Sequence, residues 1–140
     1  IKLSKINMPQ SLKKILGGVF SQTGLKNLSI PANVFYFEPS GWNTNLESIE
    51  VDPKNKNYTS IDGVVYDKNI KTLINVPVGL KKKSLKVPNS VERVIAWSVA
   101  GINPPWNSSA SKLKTIHIPK NAIIEESALA GSENIEVVRY

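Results

Sequence analysis

Cysteine is absent from this 140-residue chain, and histidine occurs once, at position 117. The first absence excludes a disulfide scaffold, a thiolate metal site and a cysteine nucleophile. The second excludes a metal site built from several histidines. No apolar run reaches the roughly 18 residues that a membrane-spanning helix needs. These absences favour a non-enzymatic domain, and we predict no catalytic residue, no metal ligand and no cofactor.

Arginine is also scarce, because the chain has 16 lysines and two arginines against 11 acidic residues, for a net charge of +7. Arginine is the side chain that binds phosphates and guanine edges in bidentate fashion, so we expect no specific nucleic-acid partner. The lysines are spread along the chain, with one cluster at Lys81, Lys82, Lys83 and Lys86. A solvated lysine-rich surface is the simpler interpretation, and polyanion binding through these lysines is the alternative.

A short repeat dominates what the chain does contain. An aliphatic residue is followed by two variable positions, an aliphatic, one variable position, another aliphatic and usually a proline. The copies begin at positions 3, 25, 46, 82, 113 and 135. Three intervals are 22, 21 and 22 residues, within the range of about 20–29 residues that is typical of leucine-rich repeats. Each copy predicts one solenoid coil, whose short strand buries its aliphatics and pairs in parallel with neighbouring coils.

Two intervals are longer, and each contains an extra segment. Residues 63–66 and 72–76 are β-rich runs separated by a turn, which predicts one β-hairpin insertion near residues 62–77. The second excess lies in residues 102–111. The segments that follow the prolines predict short 3₁₀ or irregular turns on the convex side of the coils, and we expect Trp97 to pack there in the core.

Three motifs together indicate a family. They are the repeated Leu-x-x-Ile-x-Ile-Pro strands, the Asn-Ser-Val sequence at 89–91, and the segment around Asp62-Gly63 that runs from 57 to 79. The sequence resembles the BspA-like leucine-rich repeat family of bacterial surface proteins. The resemblance implies a leucine-rich repeat solenoid of α/β or β-rich class, with short parallel concave strands and irregular or 3₁₀ convex turns. It also implies a role in binding and an extracellular or cell-surface location.

Residues 1–140 are expected to form a single leucine-rich repeat domain of about six coils. Both ends fall at repeat strands without an obvious polar cap, and solenoids need capped ends for solubility. We therefore expect this domain to be a segment of a longer array, or its ends to be covered by a partner chain. End-to-end self-association is one form that such covering can take.

The strand register predicts which side chains face the concave surface, because residues between the inward aliphatics point outward. The candidate ligand-binding residues are Lys5, Asn7, Asn27, Ser29, Ser48, Glu50, Ser84, Lys86, Thr115, His117 and Arg139. A polar row of this kind suits an extended protein or glycan ligand, and ordinary solvent-facing strand positions are the alternative. His117 lies between two inward isoleucines with no recognised nucleophile or acid, so we do not assign it to catalysis.

The leading hypothesis is a non-enzymatic protein- or glycan-binding module of a bacterial surface or secreted protein, active in adhesion or host interaction. Its partner would be a host or matrix protein or a glycan. Two alternatives remain open at this point. The repeats could be structural spacers in a larger surface protein, or the lysine-rich surface could bind a polyanion.

Overall fold

The computed structural model describes residues 3–39, 45–102 and 112–140, which contain twelve strands and no helix. In chain order the strands are β1 (Lys14–Ile15), β2 (Asn27–Ile30), β3 (Tyr36–Phe37), β4 (Ser48–Val51), β5 (Tyr58–Ile61), β6 (Val64–Asp67), β7 (Thr72–Asn75), β8 (Ser84–Lys86), β9 (Arg93–Val94), β10 (Thr115–Ile118), β11 (Ile123–Ile124) and β12 (Glu136–Arg139). Nothing in these three ranges forms a helix long and apolar enough to cross a membrane.

The concave strands are the repeat strands that the sequence predicts. Strands β2 and β4 pair in parallel with Leu28 opposite Ile49. Strands β8, β10 and β12 form a second parallel sheet, in which Leu85 lies opposite Ile116. All four of these aliphatic residues are buried, whereas the residues directly before and after each of them in its strand are more exposed. Stacked coils thus share an apolar interior, and the prediction of a leucine-rich repeat solenoid is confirmed.

A second line of short strands runs along the other side of the coils. Strand β1 pairs with β3, and β7, β9 and β11 pair in that order, all in parallel. Strands β1, β9 and β11 are each followed by hydrogen-bonded turns, at residues 17–22, 96–101 and 126–131. The sequence predicted irregular turns on this side. The structure adds to them two further sheets, in which β1, β3, β9 and β11 have two residues each and β7 has four.

The predicted hairpin is present and is larger than expected. Strand β6 pairs antiparallel with β7, as predicted, and also pairs antiparallel with β5 through the turn at Asp62 and Gly63. Gly63 has a φ of +81°, a backbone conformation that glycine adopts at little cost. Because β7 also pairs with β9, the insertion belongs to the five-stranded sheet β11-β9-β7-β6-β5.

The insertion separates two hydrophobic cores. Val64 and Tyr66 pack in the C-terminal core, whereas Val65 packs in the N-terminal core. All three side chains are at most 1% exposed. The outer edge of β4 is occupied by the insertion, because Ile49 N–H donates to the Gly63 carbonyl and Val51 N–H donates to the Ser60 hydroxyl, each at 2.9 Å. In the described part of the chain, β4 and β8 are unpaired with each other, so the concave face consists of two sheets.

The first copy of the repeat does not form the predicted strand. Leu3 and Ile6, which were expected to face the core, are 43% and 41% exposed. This segment is joined to the next coil by a hydrogen bond from Gly24 N–H to the Leu3 carbonyl at 2.6 Å, and Met8 packs partly against the N-terminal core. The reason is that, within the described residues, this coil has a neighbouring coil on one side only, so its aliphatics lack a second packing surface.

The expectation that Trp97 packs in the core is wrong. Trp97 lies in the convex turn after β9 and is 47% exposed, while Val94 and Val99 fill the core of the same coil. The sequence analysis expected burial because large aromatic residues in such turns commonly pack on the core. The left-handed backbone of Trp97, with a φ of +67°, is a feature that the sequence does not reveal. The second excess of the repeat, residues 102–111, lies outside the described residues except for Ile102.

Candidate functional site

The predicted candidate residues in β2 and β4 face outward on the concave side. Asn27 and Ser29 flank the buried Leu28 and are exposed. The parallel register places Asn27 beside Ser48 and Ser29 beside Glu50. Polar side chains from two neighbouring coils therefore form two short rows across this sheet, as the alternation of the strands predicts.

The N-terminal candidates border one groove of about 970 Å³. Residues from three successive coils line it, namely Lys5, Asn7, Asn27, Ser29 and Glu50. The sequence analysis did not identify Gln10, Lys26 and Asp52, which also line the groove. Lys26 and Asp52 directly flank β2 and β4, and Gln10 lies in a turn before β1. The alternation of inward and outward residues gives no signal at such positions.

The groove carries charges of both signs. Its charged side chains are Lys5, Lys26, Glu50 and Asp52. The Lys26 ammonium lies 3.7 Å from a Glu47 carboxylate oxygen, and the Ser48 hydroxyl donates to Glu50 at 3.3 Å. A surface ion pair such as Lys26–Glu47 contributes at most about 1 kcal/mol, so Lys26 can exchange its present partner for a ligand at small cost.

The C-terminal candidates form a second polar patch on strands β8 and β10. The register places Ser84 beside Thr115 and Lys86 beside His117. The Lys86 ammonium also lies 4.7 Å from the centre of the Tyr140 ring, a cation–π contact. The Tyr140 hydroxyl donates to the backbone carbonyl of Val87. Sequence reasoning missed Tyr140, because the alignment of the last copy placed it opposite an inward isoleucine.

Arg139 does not lie on the concave face, where the sequence analysis predicted it. The structure pairs Val138 with His117 and Arg139 with Ile118, a shift of one residue. In a strand, such a shift exchanges the two faces. The Arg139 guanidinium donates to the carbonyls of Lys120 at 2.9 Å and Ala122 at 2.5 Å. Arg139 therefore joins the last two coils and does not extend the row of concave candidates.

The lysine cluster is partly neutralised. Lys81 lies 3.2 Å from a carboxylate oxygen of Glu47, and Lys82 lies 3.2 Å from one of Asp62. These pairs bring acidic residues of the preceding coil and of the insertion next to the cluster. Two of the four lysines thus have an opposite charge beside them, which weakens the polyanion interpretation.

His117 has no orienting carboxylate among its neighbours in register. The flanking residues are Lys86 and Val138, whereas a histidine that acts as a general base is oriented by an acid or a similar group. In the described ranges, no group of three or more histidine, aspartate or glutamate side chains could hold a metal ion. The arrangement of His117 therefore gives no support to catalysis.

The convex surface contains a carboxylate held by two donors. Arg93 Nη1 donates to Glu125 Oε2 at 2.8 Å, and Ala96 N–H donates to Glu125 Oε1 at 3.2 Å. The hydrogen bond from Arg93, followed by that from Ala96, holds the pKa of Glu125 below its ordinary value of 4.5. Because the folded state prefers the charged form, ionised Glu125 stabilises the fold above its unfolded-state pKa, and this contribution is lost as the pH falls through the lowered pKa.

Glu125→Gln should consequently lower the Tm at pH 7, and the difference from the wild type should shrink as the pH drops below 4.5. Thermal melts of both proteins between neutral and acidic pH measure it. Glu126→Gln, at the exposed neighbouring position, is the control and should change the Tm little at any pH. A difference between Glu125→Gln and wild type that stays constant with pH would contradict the assignment.

Comparison with known proteins agrees with the repeat pattern. A family profile described as "BspA type Leucine rich repeat region", in six copies, matches residues 1–86. The chain belongs to this BspA-type leucine-rich repeat family. The BspA-type profile covers the N-terminal groove, the insertion and strand β8, and the repeat strands continue beyond it in β10 and β12. A search of curated protein sequences finds no significant match.

Solved structures share the fold of this chain over nearly its whole length. A leucine-rich cell surface protein from Faecalibacterium prausnitzii superposes with a TM-score of 0.75 at 22% identity, over 99% of this chain and 35% of that protein. A leucine-rich repeat protein from Eubacterium ventriosum gives 0.73 at 22% identity, over 99% and 42%. The pneumococcal vaccine antigen PcpA gives 0.73 at 23% identity, over 91% and 31%. The chain thus spans less than half the length of each.

Proposed function

We propose that this chain is a non-enzymatic binding module of a bacterial surface or secreted protein, and that its N-terminal concave groove binds a host or matrix protein in adhesion. The groove carries the proposal, because side chains from three successive coils line one space of about 970 Å³ and include five of the eleven residues predicted from the sequence. The surface location is supported by similar proteins described as a cell surface protein and a vaccine antigen.

A protein ligand suits the groove better than a glycan. In the part of the chain that the structure describes, the lining contains no aromatic side chain on which a sugar ring could stack. It offers the amides of Asn7 and Asn27, the hydroxyl of Ser29 and charges of both signs. Such groups pair with the backbone and the charged side chains of an extended peptide segment. We therefore propose that the ligand is a polypeptide segment that lies in the groove across the three coils.

Reversing a charge in the groove tests the proposal. Lys5→Glu and Glu50→Lys should each weaken binding to a matrix protein about tenfold, because each variant puts a like charge opposite its partner on the ligand. Binding is measured by surface plasmon resonance against an array of extracellular-matrix proteins. Lys56→Glu makes the same charge change as Lys5→Glu at an exposed position outside the groove and should bind as the wild type does. Failure of the wild type to bind any matrix protein, or equal binding by all variants, would contradict the proposal.

A further inference from the structure

We propose a second binding site on the convex face, where the indole of Trp97 stacks on the ring of a neutral sugar and the Glu125–Arg93 pair hydrogen-bonds its hydroxyls. This site is separate from the concave groove and does not depend on the function proposed for it. The backbone conformation of Trp97, its exposure and the charged groups beside it carry the inference.

Trp97 occupies a position that disfavours a large side chain. Convex turns place two residues, four positions apart, in the left-handed region, and these pairs are Gly18 and Gln22, Trp97 and Gly101, and Ser127 and Gly131. Trp97 N–H donates to the Ser127 carbonyl at 2.9 Å, which makes these two residues equivalent in neighbouring coils. The equivalent positions hold the small residues Gly18 and Ser127. Side chains with a β-carbon are strained in this conformation, and bulky ones are rare there.

The core of the coil does not require this tryptophan. Val94, Val99 and Ala100 are at most 1% exposed and fill the interior on either side of the turn, whereas Trp97 is 47% exposed. A large aromatic residue that is held in a strained conformation and left half in solvent gains little from folding. Strain of this kind is concentrated at functional positions, and we therefore assign Trp97 to contact with a ligand.

Polar groups are fixed beside Trp97. The Glu125 carboxylate accepts from the N–H of Ala96, the residue that precedes Trp97, and from Arg93 at 2.8 Å. A carboxylate held by two donors keeps free lone pairs, and a guanidinium has five N–H groups. An indole face covers the C–H face of a sugar ring, while such groups bind its hydroxyls. The site thus combines an apolar platform with preorganised acceptors and donors.

The charges around Trp97 favour a neutral ligand of about the size of one ring. Arg93 pairs with Glu125, and Lys71 pairs with Glu92 at 2.9 Å. The exposed Glu126, next to Ser127, adds one negative charge, so these groups offer no net positive charge to an anionic ligand. Ile123, opposite Arg93 in the sheet, is the other large apolar residue that is exposed there, at 56%. Two apolar side chains among five charged ones form no continuous apolar patch of the kind that marks a protein interface. One indole face matches a single sugar ring.

Isothermal titration calorimetry of the full chain with neutral pentasaccharides tests the site. The probes are the β-1,4-linked pentamers of glucose, mannose and N-acetylglucosamine and the α-1,4-linked pentamer of glucose. At least one should bind with a Kd on the order of 1 mM or lower. Trp97→Gly should weaken that binding about tenfold or more, yet change the Tm by less than about 4 °C, because glycine relieves the left-handed strain. Trp97→Phe keeps a ring and should retain part of the affinity.

Phe35→Ala is the matched control, since Phe35 is an aromatic residue that is 50% exposed at a distant part of the same surface. It should bind the sugar as the wild type does, and so should Lys5→Glu in the groove. Binding of none of the four sugars by the wild type would overturn the proposal. Equal binding by Trp97→Gly and wild type would overturn it too. A loss of matrix-protein binding without a loss of sugar binding in Trp97→Gly would reassign the residue to a protein interface.

Discussion

Replacing Asn55 by alanine should lower the free energy of unfolding by about 4 kcal/mol. The Asn55 side chain is 1% exposed and makes four hydrogen bonds. Its Nδ2 donates to the carbonyls of Pro31 and Val34, both at 2.9 Å, and its Oδ1 accepts from the N–H groups of Asn57 at 2.8 Å and Tyr58 at 2.9 Å. Alanine leaves four backbone groups without these partners, at about 1–3 kcal/mol for each group that water does not reach.

Asn33→Ala is the matched control, because Asn33 follows Pro31 as Asn55 follows Pro53 and so holds the corresponding position in the preceding coil. The Asn33 side chain is exposed and donates one hydrogen bond, from Nδ2 to the Gln10 carbonyl at 2.7 Å. Because water replaces that bond, we expect a loss of at most about 1 kcal/mol. Urea denaturation of both variants and the wild type gives the comparison. Similar losses in the two variants would show that the four hydrogen bonds of Asn55 stabilise the fold no more than one exposed hydrogen bond does.

Gly63→Ala should cost about 3 kcal/mol, through two effects. The first is the φ of +81°, which strains any residue with a β-carbon. The second is the close approach of the turn to β4, because a β-carbon at Gly63 would lie 2.7 Å from Ser48 Oγ and 3.1 Å from Ser48 Cα. The hydroxyl can rotate away, but the backbone of Ser48 has to shift. That shift also disturbs the hydrogen bond from Ile49 N–H to the Gly63 carbonyl.

Gly18→Ala separates the two effects. Gly18 has the same φ of +81°, but the nearest atom to an added β-carbon is Ser21 Oγ at 3.8 Å. Only the left-handed strain applies, and we expect a cost of about 1 kcal/mol. Both variants are measured by urea denaturation and by amide hydrogen exchange of Ile49, which should be faster in Gly63→Ala alone. If the two alanines cost the same, the contact with Ser48 is not tight.

The concave strands and the hairpin could be predicted because each has a strong local signal. Alternating aliphatics followed by proline give the strands, and two β-rich runs around a turn give β6 and β7. The strands β1, β3, β9 and β11 have only two residues each, which is too short to show an alternation of inward and outward side chains. The register of β12 was wrong by one residue because Val137 and Val138 are adjacent, and either can be aligned with an inward isoleucine.

The candidate site was predictable residue by residue but not as a surface. Strand alternation placed Asn27 and Ser29 outward, as the structure has them. The division of the row into two patches depends on where the insertion packs, which is a tertiary property. The pairing of Lys81 with Glu47 joins residues 34 positions apart in different parts of the fold, and no local pattern predicts it. Whether the groove and its candidates bind a ligand stays a prediction.

The two-sided burial of β6 has a consequence for the evolution of such arrays. An insertion that packs only on the surface of an array could be gained or deleted without changing the coils beside it. Here Val64 and Val65, adjacent in sequence, each complete a different core. Deleting the segment would expose apolar side chains of the preceding coil and of the following one at the same time. A change of size at Val64 or Val65 therefore alters the packing of one flanking core, and loss of the whole segment has to be compensated in both.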